Sequence, residues 1–144
     1  MRLKLVKKLD SSITNFLLNI RNKKYIRNAS SSKKIIRLPE HLKWICRFFN
    51  KKGNQIYLIC DHSKKIGYIR LEKKNNFFTV SWALIKARSK KGIMSKSLKK
   101  ITSNKSYKYK ALIKAGNVAS SKVALKAGFY LIKKKRGSVV YHKN

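Results

Sequence analysis

A basic turn between a predicted strand and a predicted helix is the part of the sequence best suited to chemistry. Large and small residues alternate over 80–85, which predicts a strand, and apolar residues recur at helical spacing over 94–101. Between them, Lys86–Lys91 is basic and Gly92 closes the turn. A helix that begins after such a turn presents free N–H groups at its positive end. The sequence therefore predicts a phosphate-binding site here.

The charge of the chain also favours anionic partners. There are 38 Lys and Arg residues against 4 Asp and Glu, which gives a formal net charge of +34. A field of this sign attracts phosphate-bearing partners and makes their binding sensitive to salt. Because the lysines are spread along the whole chain, nucleic acid stays one of several partners that the charge favours.

Length and composition favour one small domain. A chain of 144 residues of which 43% are apolar can form one core, so residues 1–144 are expected to be a single domain. No apolar run is long enough for a membrane span, and the start of the chain lacks the apolar core of a signal peptide, which predicts a cytoplasmic protein. Cys46 and Cys60 form no CxxC pair, so no metal site is expected.

The elements that must position the turn follow an α+β pattern. Period-two alternation predicts seven strands, at 3–5, 55–60, 65–71, 77–85, 108–113, 130–133 and 138–142. The polar stretch 21–34 is predicted to be a long loop. Four helices are predicted: one capped by Ser11 or Ser12, one starting at Pro39, one after Gly92, and one between Asn117 and Gly128. The order is β-α-α-β-β-β-α-β-α-β-β on one mixed sheet.

Two stretches resemble the GNAT superfamily of N-acetyltransferases. Residues 117–129, Asn-Val-Ala-Ser-Ser-Lys-Val-Ala-Leu-Lys-Ala-Gly-Phe, resemble the family pattern N-x-x-S, a helix, then K-x-G-F. Residues 80–98 resemble the family's fourth strand and pyrophosphate helix. The resemblance implies the GNAT fold, a mostly antiparallel mixed sheet with about seven strands and four helices. It also implies transfer of an acetyl group from acetyl-CoA to a primary amine.

A narrower resemblance covers the first half of the chain. Residues 20–30, 40–44 and 67–72 resemble GNAT enzymes that acetylate nucleotide-linked amino sugars in pseudaminic-acid and related surface-glycan pathways. This resemblance implies a nucleotide-linked amino sugar as the acceptor.

The family resemblance assigns a set of residues to acetyl-CoA. In the family, the turn R/Q-x-x-G-x-G/A holds the pyrophosphate through its amides, and here Gly92 is kept while Ser89 and Met94 depart from the pattern. The alternatives are a solvated basic turn and, for Asn117, helix capping. The residues expected to bind acetyl-CoA are Val80, Trp82, Leu84, Arg88, Lys90, Lys91, Gly92, Ile93, Met94, Asn117, Ser120 and Lys122.

The same resemblance implies an acceptor site and proton transfer. Carboxylates are scarce, so Glu72 and His41 are the candidate bases, with a surface ion pair and a helix-surface histidine as alternatives. Ala124 stands where the family often has a tyrosine acid, so positioning must supply most of the rate. The residues expected to bind the acceptor are Arg21, Asn22, Arg27, Trp44, Arg70 and Ser81; solvated arginines and a core tryptophan are the alternatives.

The sequence thus favours an acetyl-CoA-dependent N-acetyltransferase that acts on a nucleotide-linked amino sugar as a monomer or homodimer. Two alternatives stay open. One is acetylation of a protein N-terminus or a ribosomal protein. The other is a catalytically decayed GNAT fold that binds nucleic acid through its basic surface.

Overall fold

The computed structural model describes residues 1–89 and 91–144, so Lys90 lies outside the described residues. The strands are β1 (Arg2–Leu5), β2 (Gln55–Asp61), β3 (Lys64–Lys74), β4 (Phe77–Leu84), β5 (Lys108–Lys114), β6 (Tyr130–Lys135) and β7 (Ser138–Lys143). The α-helices are α1 (Ser11–Arg21), α2 (Lys24–Asn28), α3 (Leu38–Asn50), α4 (Ile93–Ile101) and α5 (Val118–Lys126). The predicted α+β order is confirmed, with one short helix added.

All seven strands form one mixed sheet in the order β1-β2-β3-β4-β5-β7-β6. Neighbouring strands are antiparallel except β4 and β5, which are parallel. The register between β4 and β5 covers Phe77–Thr79 and Lys108–Lys110, and it ends there. Beyond these residues the two strands part, which opens a cleft in the middle of the sheet.

Helices pack on both faces of the sheet. Leu17 of α1 and Ile45 of α3 are buried against β2 and β3 on one face. Met94 and Leu98 of α4 and Ala124 of α5 are buried in a second cluster on the opposite face. Burial of each large side chain is worth about 1.5–3 kcal/mol, so the two clusters fix the helices on either side of the cleft.

Two local predictions are wrong. The stretch 21–34 was predicted to be a loop, but it contains the short helix α2. A 3₁₀ turn also spans Lys86–Arg88 after β4. The cap of α1 is Asp10 and not Ser11 or Ser12, because the Asp10 carboxylate accepts a hydrogen bond of 2.8 Å from the N–H of Ile13.

The start of α3 agrees with its sequence. Pro39 lies in the first turn, where its missing N–H costs nothing, and Glu40 beside it complements the positive helix end. In the described part of the chain, none of the helices has the length and apolar character needed to cross a membrane.

Candidate active site

The parting of β4 and β5 forms a cleft of about 350 Å³. Its walls come from β4, β5 and the start of α5, and the loop after α2 borders it on the outside. Because β5 has left β4 beyond Thr79, that edge of β4 has backbone groups available for a ligand. The predicted cofactor residues Val80, Trp82, Asn117 and Ser120 all line this cleft.

Helix α4 begins directly after the predicted phosphate turn. Gly92 caps the helix in the left-handed conformation, with φ 72°, which side chains other than glycine rarely adopt. The first bond inside the helix runs from the N–H of Lys96 to the carbonyl of Gly92, at 3.1 Å. The N–H groups of Ile93, Met94 and Ser95 therefore have no acceptor within the helix.

Met94 leaves this helix end open. Its side chain is 4% exposed and lies in the core cluster with Leu98, facing away from the turn. The departure from a small residue is accommodated by the core, since the long side chain packs inward. Ile93 and Leu84 pack at the edge of the same cluster.

The basic side chains around the turn behave differently from one another. Arg88 forms an ion pair with Asp61, so its guanidinium is already engaged. Burial would raise the pKa of the Asp61 carboxyl, but Arg88 and His62 outweigh it and lower that pKa. Lys91 is exposed at the turn, Lys122 is exposed on α5, and the predicted role of Lys90 falls outside the described residues.

Asn117 has the capping role that was its alternative. Its side-chain oxygen accepts a hydrogen bond of 3.2 Å from the N–H of Ser120, and its amide donates to the Ser120 hydroxyl at 3.1 Å. The same amide donates to the carbonyl of Ala29 at 3.3 Å, which ties α5 to the end of α2. Capping and lining the cleft are compatible, because Asn117 caps α5 through Ser120 and both residues line the cleft.

A second cavity of about 260 Å³ lies between α1, α3 and the sheet. Arg21, Tyr68 and Arg70 line both this cavity and the cleft, so they form the wall where the two meet. His41 and Trp44 of α3 also line it. The cavity therefore lies where an acceptor would approach a donor held in the cleft.

The two arginines of the shared wall are only partly hydrogen-bonded. Arg70 donates to the Ser81 hydroxyl at 3.2 Å, and its guanidinium carbon lies 4.8 Å from the ring centroid of Trp44. Arg21 donates to the carbonyl of Ser32 at 3.5 Å. Among the residues described, Nε of Arg70 and Nη1 of Arg21 are buried without a hydrogen-bond partner. Such N–H groups are costly unless a ligand or a water molecule accepts from them.

Two further residues predicted to bind the acceptor instead hold the loop between α1 and α3. The Asn22 side chain makes two hydrogen bonds of 2.8 Å with the backbone of Ile36. Arg27 donates to the carbonyls of Asn22 and Lys33, each at 3.0 Å. Their side chains are engaged in shaping the loop that borders the cleft. Trp44 is the support on which Arg70 stacks, and it also stacks on Phe48 at 5.4 Å.

The two candidate bases lie in different places. His41 is 4% exposed and its Nε2 lies 3.0 Å from the carbonyl of Thr14, so Nε2 carries the proton and the lone pair is on Nδ1. Burial lowers the pKa of His41 below its ordinary value, which keeps the ring neutral near pH 7. Glu72 pairs with Lys74 at 3.7 Å on β3, and the residues described as lining the two cavities do not include it.

Sequence reasoning missed two tyrosines at the site. Tyr68 is buried in the shared wall, and burial raises the pKa of its hydroxyl although Arg70 and Arg21 oppose the shift. Tyr25 of α2 accepts a hydrogen bond of 2.9 Å from the N–H of Lys86, which fixes the chain after β4. Tyr68 lies two residues from Arg70 on β3, so strand alternation was a signal for it. No comparable signal pointed to Tyr25.

Three comparisons with known proteins bear on this geometry. Residues 10–130 match the sequence family described as the acetyltransferase (GNAT) domain. Among proteins with curated descriptions, none matches this chain.

Solved structures share the fold at low identity. RimL, named as a ribosomal alpha-N-protein acetyltransferase in complex with coenzyme A, matches with a TM-score of 0.80 at 18% identity over 97% of this chain and 93% of its own. Spermidine N-acetyltransferase from Vibrio cholerae matches at 0.78 and 13% identity, over 97% and 92%. The Campylobacter jejuni N-acetyltransferase PseH with acetyl coenzyme A matches at 0.73 and 15% identity, over 99% of each chain.

The family match covers most of the chain, and the fold, the parted strands and the open helix end agree with it. The predicted enzyme class and cosubstrate, N-acetyl transfer from acetyl-CoA, are confirmed at that level. The chain therefore belongs to the GNAT family of acetyltransferases.

Proposed function

We propose that the acceptor is a primary amine that also carries an anionic group, and that a nucleotide-linked amino sugar fits best. The single observation that carries this proposal is the pair of buried, unpartnered N–H groups on Arg21 and Arg70. Both residues belong to the wall that the two cavities share. Guanidinium groups bind phosphate oxygens with two parallel hydrogen bonds, which suits a diphosphate.

The charge of the two cavities supports an anionic acceptor over a polycation. Arg21, Arg70 and Lys114 are among the described lining residues, and those residues include no Asp or Glu. A polyamine such as spermidine would place several positive charges among these groups without a carboxylate to balance them. The resemblance of residues 20–30, 40–44 and 67–72 to nucleotide-amino-sugar enzymes agrees with this charge.

In the proposed complex, acetyl-CoA lies along the cleft. The N–H groups of Ile93, Met94 and Ser95 would hold its pyrophosphate, and the edge of β4 beyond Thr79 would pair with the pantetheine amides. The amine nitrogen attacks the thioester carbon, the carbon–sulfur bond breaks, and the thiolate leaves. A backbone N–H of β4 beside Ser81 would stabilise the oxyanion formed on the way.

The proposed base is His41 rather than Glu72. His41 lines the acceptor cavity as a neutral ring with its lone pair on Nδ1, so it can take a proton from the incoming amine. Glu72 would reach the amine only through water, because its carboxylate is paired with Lys74 and it lines neither cavity among the described residues. Ala124, at the position where the family often has a tyrosine acid, is buried in the core.

A thiol-release assay with four amines tests the proposed acceptor. The panel is a UDP-linked amino sugar, the same amino sugar without the nucleotide, spermidine, and a peptide with a free N-terminus. We expect the highest kcat/KM for the UDP-linked sugar, because it alone supplies diphosphate oxygens to Arg21 and Arg70. Equal or better activity on spermidine would contradict the proposal, and preference for the peptide would support the protein-acetylating alternative.

A further inference from the structure

Strands β5, β7 and β6 lie beyond the part of the sheet that α1 and α3 cover on the acceptor side. On β5, Tyr109, Ala111 and Ile113 face the core cluster beneath α4 and α5, so Lys110 and Leu112 between them face the other way. Leu112 is 51% exposed. Helices α1 and α3 pack against each other and α1 against β3 and β4, so these two helices do not cover the same face of β5, β7 and β6, although Val140 on that face is 1% exposed.

The strand register brings basic and aromatic residues together on this face. Thr79, Lys110, His142 and Tyr130 lie opposite one another across β4, β5, β7 and β6. Lys108 lies opposite Phe77 in the next row, and Lys133 opposite Val140 in the row beyond. We call this surface the basic face; its residues are Phe77, Lys108, Lys110, Tyr130, Lys133 and His142.

The basic face carries more positive charges than there are acidic side chains nearby to neutralise them. The strand register places Lys110 directly opposite His142, and burial, followed by the ammonium groups of Lys110, Lys133 and Lys108, lowers the pKa of His142. Glu72 stands across Thr79 at the border, already paired with Lys74. The other three acids lie elsewhere: Asp10 caps α1, Glu40 is in α3, and Asp61 pairs with Arg88.

Aromatic rings lie among these charges. Phe77 and His142 have ring centroids 5.6 Å apart, and Nζ of Lys108 lies 5.9 Å from the centroid of Phe77. Tyr130 is 43% exposed on the edge strand β6. Flat aromatic surfaces flanked by lysines suit unpaired bases that stack while their phosphates meet the ammonium groups.

We propose that the basic face binds single-stranded nucleic acid. A second copy of this chain is a poor occupant, because it would bring the same lysines into contact with these. A duplex keeps its bases stacked internally, so it would use the charges and leave the aromatic rings unused. This function is separate from acetyl transfer, because the basic face shares none of the residues described as lining the two cavities.

A matched pair of triple variants tests the charge. One replaces Lys108, Lys110 and Lys133 with Gln, and the control replaces Lys43, Lys51 and Lys52, which are exposed on and after α3. Both variants lose the same charge. Binding of a labelled single-stranded RNA of about 16 nucleotides is followed by fluorescence anisotropy over a range of salt concentrations. We expect the face variant to lower the slope of log K against log salt by about 2, which corresponds to three phosphate contacts.

The control and a stacking variant make the result decisive. The control triple should keep the wild-type slope, and Tyr130→Ala should weaken binding about fivefold or more while leaving the slope unchanged. Equal weakening by the two triples would overturn the proposal in favour of diffuse attraction. Equal affinity for a duplex of the same length, or no effect of Tyr130→Ala, would overturn it as well.

Discussion

The two halves of the proposed active site would bind their ligands through different chemical groups, one through the backbone and the other through side chains. The donor half, made of β4, α4, β5 and α5, offers backbone groups: a helix end after Gly92 and a strand edge beyond Thr79. The acceptor half, made of α1, α3 and β3, offers side chains, chiefly Arg21 and Arg70. A backbone site depends on fold, whereas a side-chain site depends on which residues converge. The donor can therefore be inferred from the family, and the acceptor has to be inferred from this chain.

This contrast explains why the departures in the donor half are tolerable. Met94 packs into the core and leaves the amide groups of the first turn exposed at the helix end. Arg88 is paired with Asp61, so phosphate binding at the turn does not depend on it. In the acceptor half, by contrast, each unpartnered guanidinium N–H has a specific direction, so a single substitution should change the acceptor preference.

The largest expected effect is at the phosphate turn. Gly92→Glu would place a carboxylate beside the N–H groups that are proposed to bind the pyrophosphate. Losing two charge-assisted hydrogen bonds costs about 3–6 kcal/mol, an affinity loss of more than about a hundredfold. Calorimetric titration with acetyl-CoA measures it.

Gly137→Glu is the matched control for this substitution. Gly137 and Gly92 have positive φ values of 77° and 72°, and for both an added Cβ would meet no described atom within 4 Å. Both variants therefore carry the same backbone strain and the same new charge. If Gly137→Glu weakens acetyl-CoA binding as much as Gly92→Glu does, the turn is not the phosphate site.

The next largest effect is a loss of stability at Met94 without a change in acetyl-CoA affinity. Met94→Ala should cost about 2–5 kcal/mol of unfolding free energy, because the side chain is buried beside Leu98. It should leave acetyl-CoA affinity unchanged, since the thioether points away from the turn. Urea unfolding and titration under native conditions measure the two quantities. A gain in affinity with no loss of stability would show that Met94 obstructs the cleft.

A smaller effect is expected in the acceptor half. Arg70→Lys should raise KM for the UDP-linked acceptor about 10- to 100-fold, because lysine can neither stack flat on Trp44 nor bind two oxygens at once. The affinity for acetyl-CoA should not change. Arg27→Lys is the control, since Arg27 holds the loop and is not among the described lining residues. The same rise in KM for both variants would refute a direct role for Arg70.

The smallest effect is a dependence of stability on pH. Burial lowers the pKa of His41 below 6.5, although its hydrogen bond to the Thr14 carbonyl opposes the shift. The unfolded chain thus takes up a proton at a higher pH than the folded chain, so stability falls as the pH drops below about 6.5. Urea midpoints across this range should vary less for His41→Gln than for wild type. An identical pH dependence would show that His41 titrates normally.

The periodicity of the sequence predicted most of the fold. It failed where tertiary contacts determine the local structure. Alternation placed all seven strands, and six of them have at least one buried or half-buried residue, whereas β6 is exposed along its whole length. The five-residue helix α2 was missed because its sequence has no apolar stripe. Tyr25 anchors α2 to the end of β4, and sequence periodicity carries no information about such a contact. At α1, Asp10, Ser11 and Ser12 are all good caps, so the choice among them needed three-dimensional geometry.

The site was predictable in its donor half and less so in its acceptor half. The Gly92 turn and the Asn117 cap are local features of a few consecutive residues, and the structure shows both. Arg21 and Arg70 lie far apart in the chain and converge only through the packing of α1 on β3. Asn22 and Arg27 are close to Arg21 in sequence, yet their hydrogen bonds hold the loop instead. Neighbours in sequence therefore have separate roles here.

Amide shifts in a ¹⁵N-labelled sample, recorded during titration with acetyl-CoA, most directly test whether the donor is held by backbone groups. We expect the largest shifts at Ile93, Met94 and Ser95 and along β4 beyond Thr79, with small shifts on the basic face. Binding that shifts mainly the lysine-rich strands, and leaves the first turn of α4 unmoved, would contradict a backbone site for the donor.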